Sequence, residues 1–256
     1  MLLNYNESGQ GRPIIILHGL FGSARNWQGI SRKLTEDYHV ITPDLRNHGE
    51  SPHKATMSYQ EMADDIVSLI NSRGLNDVII IGHSMGGKVA MAATLTRPEF
   101  FTALIVADIA PVSYKNNFDT LISAMKTLPL DQIKNRNDAE AHLANSIQKP
   151  GLIQFLLQNL IRVENNFSWR INLQGISNNM ESIHQFPDSL NGKSNRLPSL
   201  FLGGAESDYI RSIYNPQIYQ YFPAAEIKMI AGTGHWLHAE KPEVFLKEVK
   251  TFINYV

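Results

Sequence analysis

Four stretches of the chain carry apolar side chains at consecutive rather than alternating positions: Pro13 to Leu17 (P-I-I-I-L), Val78 to Ile81 (V-I-I-I), Ala103 to Ala107 (A-L-I-V-A) and Ser199 to Gly203 (S-L-F-L-G). Short uncharged runs of this kind predict strands buried on both faces of a parallel sheet. Two more strands are predicted at His39 to Asp44, H-V-I-T-P-D, and at Ala225 to Ala231, A-E-I-K-M-I-A. Between them the apolar spacing changes to that of helices. Trp27, Ile30 and Leu34 share one face of a helix over 26–34, and Met62, Ile66, Leu69 and Ile70 share one that opens on the capping box Ser58-Tyr59-Gln60-Glu61 and ends at Gly74. An alanine-rich helix follows Gly87, and Pro242 opens a last one with Val244, Phe245, Val249, Phe252 and Ile253 on its buried side. Strands and helices alternate, the order of an α/β fold with a mostly parallel central sheet flanked by helices.

That alternation stops between residues 112 and 196. Asparagine becomes frequent, strand-like runs vanish, and Gly151 to Ile161, G-L-I-Q-F-L-L-Q-N-L-I, has helical apolar spacing. The pattern predicts a helical cap, 112–196, inserted in a core formed by 1–111 and 197–256, with Pro111 and Pro198 at its flanks. Such an insertion serves as a lid that shapes a substrate cleft, or simply as extra helical packing.

Composition narrows the partners more than the fold. The 256 residues hold 23 Lys and Arg against 24 Asp and Glu, a neutral balance without the basic excess that nucleic acid binding calls for. With no cysteine, disulfides, thiolate chemistry and cysteine-ligated metals are all excluded. The start M-L-L-N-Y-N-E-S-G-Q-G lacks the basic and apolar regions of a signal peptide, and no run approaches the length of a membrane span, so a cytoplasmic protein is expected.

The chemistry centres on G-H-S-M-G at 82–86, between a predicted strand and a predicted helix. Gly82 and Gly86 permit a sharp strand-to-helix turn that leaves Ser84 exposed as a nucleophile, the elbow of an α/β-hydrolase. Such a hydroxyl needs a neutral imidazole as base, and His235, on the Gly-rich loop after the last strand, is in the place for it. Main-chain donors for an oxyanion are expected from Met85, directly after the nucleophile, and from Leu20 in the H-G-L-F-G-S turn, with Phe21 as the adjacent alternative. Two carboxylates compete to orient His235. Asp108 ends the strand after the nucleophile, and Asp208 lies after the penultimate strand, beside Glu206 and Ser207. Chain order does not separate them.

Other polar groups read more plainly. Asp44, Arg46 and His48 form loop scaffolding, His18 and His83 brace turns, and Lys88, early in the elbow helix, could attract an anionic substrate but reads more plainly as a solvated or ion-paired lysine. Phe21, Tyr209 and Trp236 are candidate substrate contacts, Trp236 also reading as a plug behind the base loop. His235 and His238 lack an H-E-x-x-H pattern, so neither a metal nor any other cofactor is expected.

The strings H-G-L-F-G-S, D-L-R-N-H-G-x-S, G-H-S-M-G-G-K, D-I-A-P-V and G-H-W-x-H-A-E-K-P together closely resemble the bacterial YbfF-type esterases and their ABHD-like eukaryotic relatives. The likeness spans nearly the whole chain and is weakest in the cap. It implies a serine esterase or thioesterase with a three-helix cap, acting on acyl esters and bulky acyl-CoA thioesters. It also implies Asp108 as the acid and Ser207 as a fourth member of the catalytic group. The Ser207 loop is one residue longer than the family's, which keeps Asp208 as a competing acid. Tyr209 corresponds to a substrate anchor, but its arginine partner has no clear counterpart near Lys115 to Phe118, which leaves ester against coenzyme A thioester preference open. Two other functions fit the same elements. One is carbon–carbon hydrolysis or a menaquinone-pathway type of elimination, served by cap cations such as Lys115, Lys126, Arg136, Arg162 and Arg170. The other is a non-catalytic receptor on the hydrolase fold. Dehalogenase and epoxide-hydrolase chemistry needs a carboxylate where this chain has Ser84.

Overall fold

The structure is a computed structural model that describes residues 1–115, 118–164 and 166–256. Its centre is a sheet in the order β1 (Tyr5–Ser8), β3 (His39–Pro43), β2 (Pro13–Leu17), β4 (Val78–His83), β5 (Phe101–Ala107), β8 (Ser199–Gly204), β9 (Ala225–Ile230). All neighbouring pairs are parallel except β1 with β3. The unbroken apolar runs have a direct cause. Ile15, Leu17, Ile80, Leu104 and Val106 face one core layer, while Ile14, Ile16, Ile79, Ile81 and Ile105 face the other. Helices cover both layers, so neither side of a central strand meets water.

On one face lie α2 (Tyr59–Arg73) and α3 (Met85–Thr96); on the other lie α1 (Gln28–Leu34) and the last helix, Pro242–Ile253. The start of α2 is the predicted capping box: the Ser58 hydroxyl accepts from the Glu61 N–H, and the Glu61 carboxylate accepts from the Ser58 N–H. Gly74 closes it in the left-handed conformation, φ 60°.

Two elements depart from the sequence pattern. β1 is polar and mostly exposed, an antiparallel edge that shows no apolar alternation and so leaves no trace in the hydrophobic profile. Within 112–196, the helix expected to run through Ile161 ends at Leu157, as α6 (Pro150–Leu157). The next residues form a hairpin of β6 (Leu160–Val163) and β7 (Asn166–Trp169), with Glu164 in the turn at φ 53°. The Arg136 guanidinium, donating to the carbonyls of Leu157 and Leu160, satisfies the main chain where the helix stops. The rest of the segment between β5 and β8 is helical: α4 (Asp119–Lys126), α5 (Arg136–Ala144), α7 (Leu173–Asn178) and α8 (Met180–His184). No helix among the described residues is long and apolar enough to cross a membrane.

The carboxyl ends of β4, β5 and β8 lie side by side, which brings the loops after them to one rim of the sheet. The turn after β4 is tight: a Cβ on Gly82 would lie 2.2 Å from the Gly86 carbonyl oxygen, and one on Gly86 2.5 Å from that of His18. Gly82→Ala should therefore lower stability by about 2–3 kcal/mol, read as a drop in urea midpoint at unchanged slope. An unaltered midpoint would show that the turn has slack.

Candidate active site

Ser84 occupies the turn between β4 and α3 with φ 51° and ψ −119°, a backbone region that costs a non-glycine residue about 1–3 kcal/mol. Local hydrogen bonds hold it there. Its N–H donates to the Ala107 carbonyl at 3.0 Å, and its own carbonyl accepts from Gly87 at 2.9 Å and Lys88 at 3.2 Å. The side chain lines a cavity enclosing about 370 Å³, its mouth included, together with Leu20, Met85, Ile109, Tyr209 and Lys88.

Three loops converge on the imidazole of His235. The Asp108 carboxylate, with no exposed surface, accepts from His235 Nδ1 at 2.7 Å, from the Gly204 N–H at 2.9 Å and from the Ser207 hydroxyl. A carboxylate at Nδ1 fixes that nitrogen as the protonated one, so Nε2 carries the free lone pair. Tyr209 packs on the His235 ring with centroids 4.2 Å apart, and His83 Nε2 donates to the His235 carbonyl at 2.8 Å. No hydrogen bond joins Ser84 to His235; such bonds commonly tighten only with substrate in place.

The rival carboxylates point elsewhere. Asp208 has a 94% exposed side chain, 3.8 Å from Arg211, and Glu206 is also exposed. Among the main-chain donors, the Phe21 N–H is already given to His48 Nε2 at 3.1 Å, which removes it as an oxyanion donor. The N–H groups of Leu20 and Met85 have no acceptor among the described residues. Phe21, with φ 62°, and Trp236 do not line the cavity: the first ring packs edge-on against Phe118, and the second lies between His235 and Phe155.

The scaffolding around this rim is largely neutral histidine. His18 Nε2 accepts from the Leu45 N–H at 2.9 Å while its Nδ1 donates to the Gly19 carbonyl; His48 uses Nδ1 on the Arg46 carbonyl. Burial lowers the pKa of His18, pushes His48 and His238 down to about 3 and holds His83 well below the ordinary histidine value. The Asp44 carboxylate binds the N–H groups of Ala24 and Glu50 and the Asn4 amide, and Arg46 pairs with Asp65 at 2.7 Å.

Two residues stand differently from what the sequence suggests. Lys88 is neither solvated nor ion-paired. It is 2% exposed, donates to the carbonyls of His184 and Gln185, and burial pushes its pKa down to about 7. Its position one helical turn after Ser84 is the signal that could have placed it at the cavity. Asn159, unremarkable in sequence, donates from Nδ2 to the Phe21 carbonyl at 2.7 Å and ties the inserted segment to the Leu20 loop.

Among the cations considered in that segment, Arg136 serves main-chain carbonyls, Arg170 pairs with Glu50 at 3.5 Å, Lys126 donates to Ser177 and Arg162 lies over Phe167; neither they nor Lys115 line the cavity. Positions 116 and 117, where a family arginine was sought, lie outside the described residues. Among the described residues no three His, Asp or Glu side chains are grouped as a metal site requires.

A family model described as the alpha/beta hydrolase fold matches residues 12–242. The chain is 39% identical to the sn-1-specific diacylglycerol lipase ABHD11 of Danio rerio, over 98% of this chain and 81% of that protein. It is 34% identical to esterase YbfF of Escherichia coli, over 94% and 93% of the two chains. A solved structure described as a marine microorganism esterase superposes with a TM-score of 0.94 at 40% identity, covering 98% of this chain and 99% of that one.

Asp108→Asn should reduce any hydrolytic turnover by about 10⁴-fold through loss of the Nδ1 tautomer, while Asp208→Asn should leave it within about twofold. Equal losses in the two variants would remove Asp108 from this position. A second expectation concerns acid. His48 takes up a proton near 6.5 when unfolded but only at about 3 when folded, so the unfolded state holds more protons between those values. Stability then falls as the pH drops through that window, by up to about 1.4 kcal/mol per unit from this side chain. Urea midpoints between pH 7 and 4.5 should fall less steeply in His48→Gln than in the unsubstituted protein.

Proposed function

The chain belongs to the α/β-hydrolase fold family, and we propose that it is a carboxylic-ester hydrolase working through an acyl-serine at Ser84. The observation that carries this reading is the buried Asp108 carboxylate on His235 Nδ1, which leaves Nε2 basic on the rim that also holds Ser84. In the cycle, the Ser84 hydroxyl attacks the ester carbonyl as His235 Nε2 takes its proton. The N–H groups of Leu20 and Met85 hold the resulting oxyanion, each donor worth about 3 kcal/mol in the barrier. The imidazolium then gives its proton to the departing alcohol, and a water activated by the same nitrogen releases the acid. Ser207 steadies Asp108 as a fourth member of the group, and the segment between β5 and β8 acts as the cap.

The relatives named esterase and lipase support an ester substrate. The cavity walls beside Ser84 are largely apolar, Leu20, Met85 and Ile109 among them, which suits the hydrocarbon part of an acyl group. Acyl thioesters are competent in the same cycle, with the thiol as leaving group.

The intact protein should hydrolyse p-nitrophenyl acetate with an initial burst, and Ser84→Ala should abolish it. Mass spectrometry of acid-quenched enzyme should show one added acetyl group. Silence across a panel of esters and acyl-CoA thioesters would instead favour a receptor on this fold.

A further inference from the structure

We propose that the cavity selects acyl groups bearing a second carboxylate, held by the Lys88 ammonium and the His184 imidazole. The proposal rests on the ester-hydrolase reading and names the substrate class for the same site.

Lys88 is among the largest fully buried side chains of the protein, and no carboxylate among the described residues pairs with it. An ammonium in that setting is costly to desolvate, and a lysine is retained there only against a penalty that a neutral side chain would avoid. Two of its three protons go to the carbonyls of His184 and Gln185, at 3.0 and 2.9 Å. The third is unassigned, and the nitrogen lies 5.1 Å from the Tyr114 ring centroid and 5.6 Å from that of Tyr59.

His184 also lines the cavity, from α8. Its Nε2 is buried and has no hydrogen-bond partner among the described residues, an uncommon state for a buried polar atom. Two further hydroxyls nearby are already committed. The Tyr59 hydroxyl donates to the Ile183 carbonyl at 2.7 Å, and the Tyr114 hydroxyl donates to that of Tyr209 and accepts from the Ala110 N–H. The cavity therefore offers an unneutralised cation and an unpaired imidazole nitrogen, set between apolar walls that include Leu20, Met85 and Ile109. A carboxylate placed between them would accept from both and supply the missing negative charge. The ester end of the same molecule would remain at Ser84, because Lys88 sits one helical turn along α3, about 6 Å in axial rise.

The test compares monoethyl succinate, glutarate and adipate with the neutral ethyl esters of butanoic, pentanoic and hexanoic acids, at matched chain length. One half-ester should exceed its neutral partner at least tenfold in kcat/KM. Lys88→Met should lower that preference at least tenfold, and Lys88→Arg should restore most of it. Should Lys88→Met fail to fold, the unsubstituted protein decides alone: the free diacid of the favoured length should inhibit ethyl pentanoate hydrolysis competitively where pentanoate at equal concentration does not. Equal or better use of the neutral esters, without inhibition by any diacid, overturns the carboxylate proposal while leaving the esterase reading intact. Failure to hydrolyse any of the six esters overturns both.

Discussion

A carboxylate with no exposed surface must find in the protein the donors that water would have provided, and Asp108 finds them on two other loops. Gly204 ends β8, Ser207 follows it, and His235 follows β9. These bonds make one ionised group a junction for three segments far apart in sequence. Leaving any donor unpaired would strand a charge in a region of low dielectric, where the penalty exceeds that at the surface several-fold. The position of the imidazole is therefore set by satisfaction of the carboxylate, and that of the neighbouring loops by the parallel order of β5, β8 and β9.

The same economy governs the loop that carries Leu20. His18 and His48 each accept a main-chain N–H through Nε2 and donate through Nδ1, which only a neutral imidazole can do. One consequence is selection among donors. His48 takes the Phe21 N–H, while the Leu20 N–H has no acceptor among the described residues. The strained Ser84 turn is held comparably, by close main-chain packing around Gly82 and Gly86.

Much of this was legible in the amino-acid order. Unbroken apolar runs reveal strands covered on both sides, and the glycines around Ser84 reveal a turn that admits no Cβ. Chain order left Asp108 and Asp208 open and only the family resemblance favoured Asp108, because the difference lies in which way a side chain leaves its loop: Asp208 turns to solvent while its neighbour Ser207 turns inward. The setting of Lys88 was not legible: lysine in sequence reads as a surface residue, and only the carbonyls at the end of α8 explain its burial. β1 and the hairpin of β6 and β7 escaped for a related reason. Their partners, rather than their own periodicity, make them strands.

The bond from Asn159 to the Phe21 carbonyl joins the segment between β5 and β8 to the loop that carries Leu20. Displacing that segment would break this contact or pull on the loop, so two parts of the chain 138 residues apart hold one another in place.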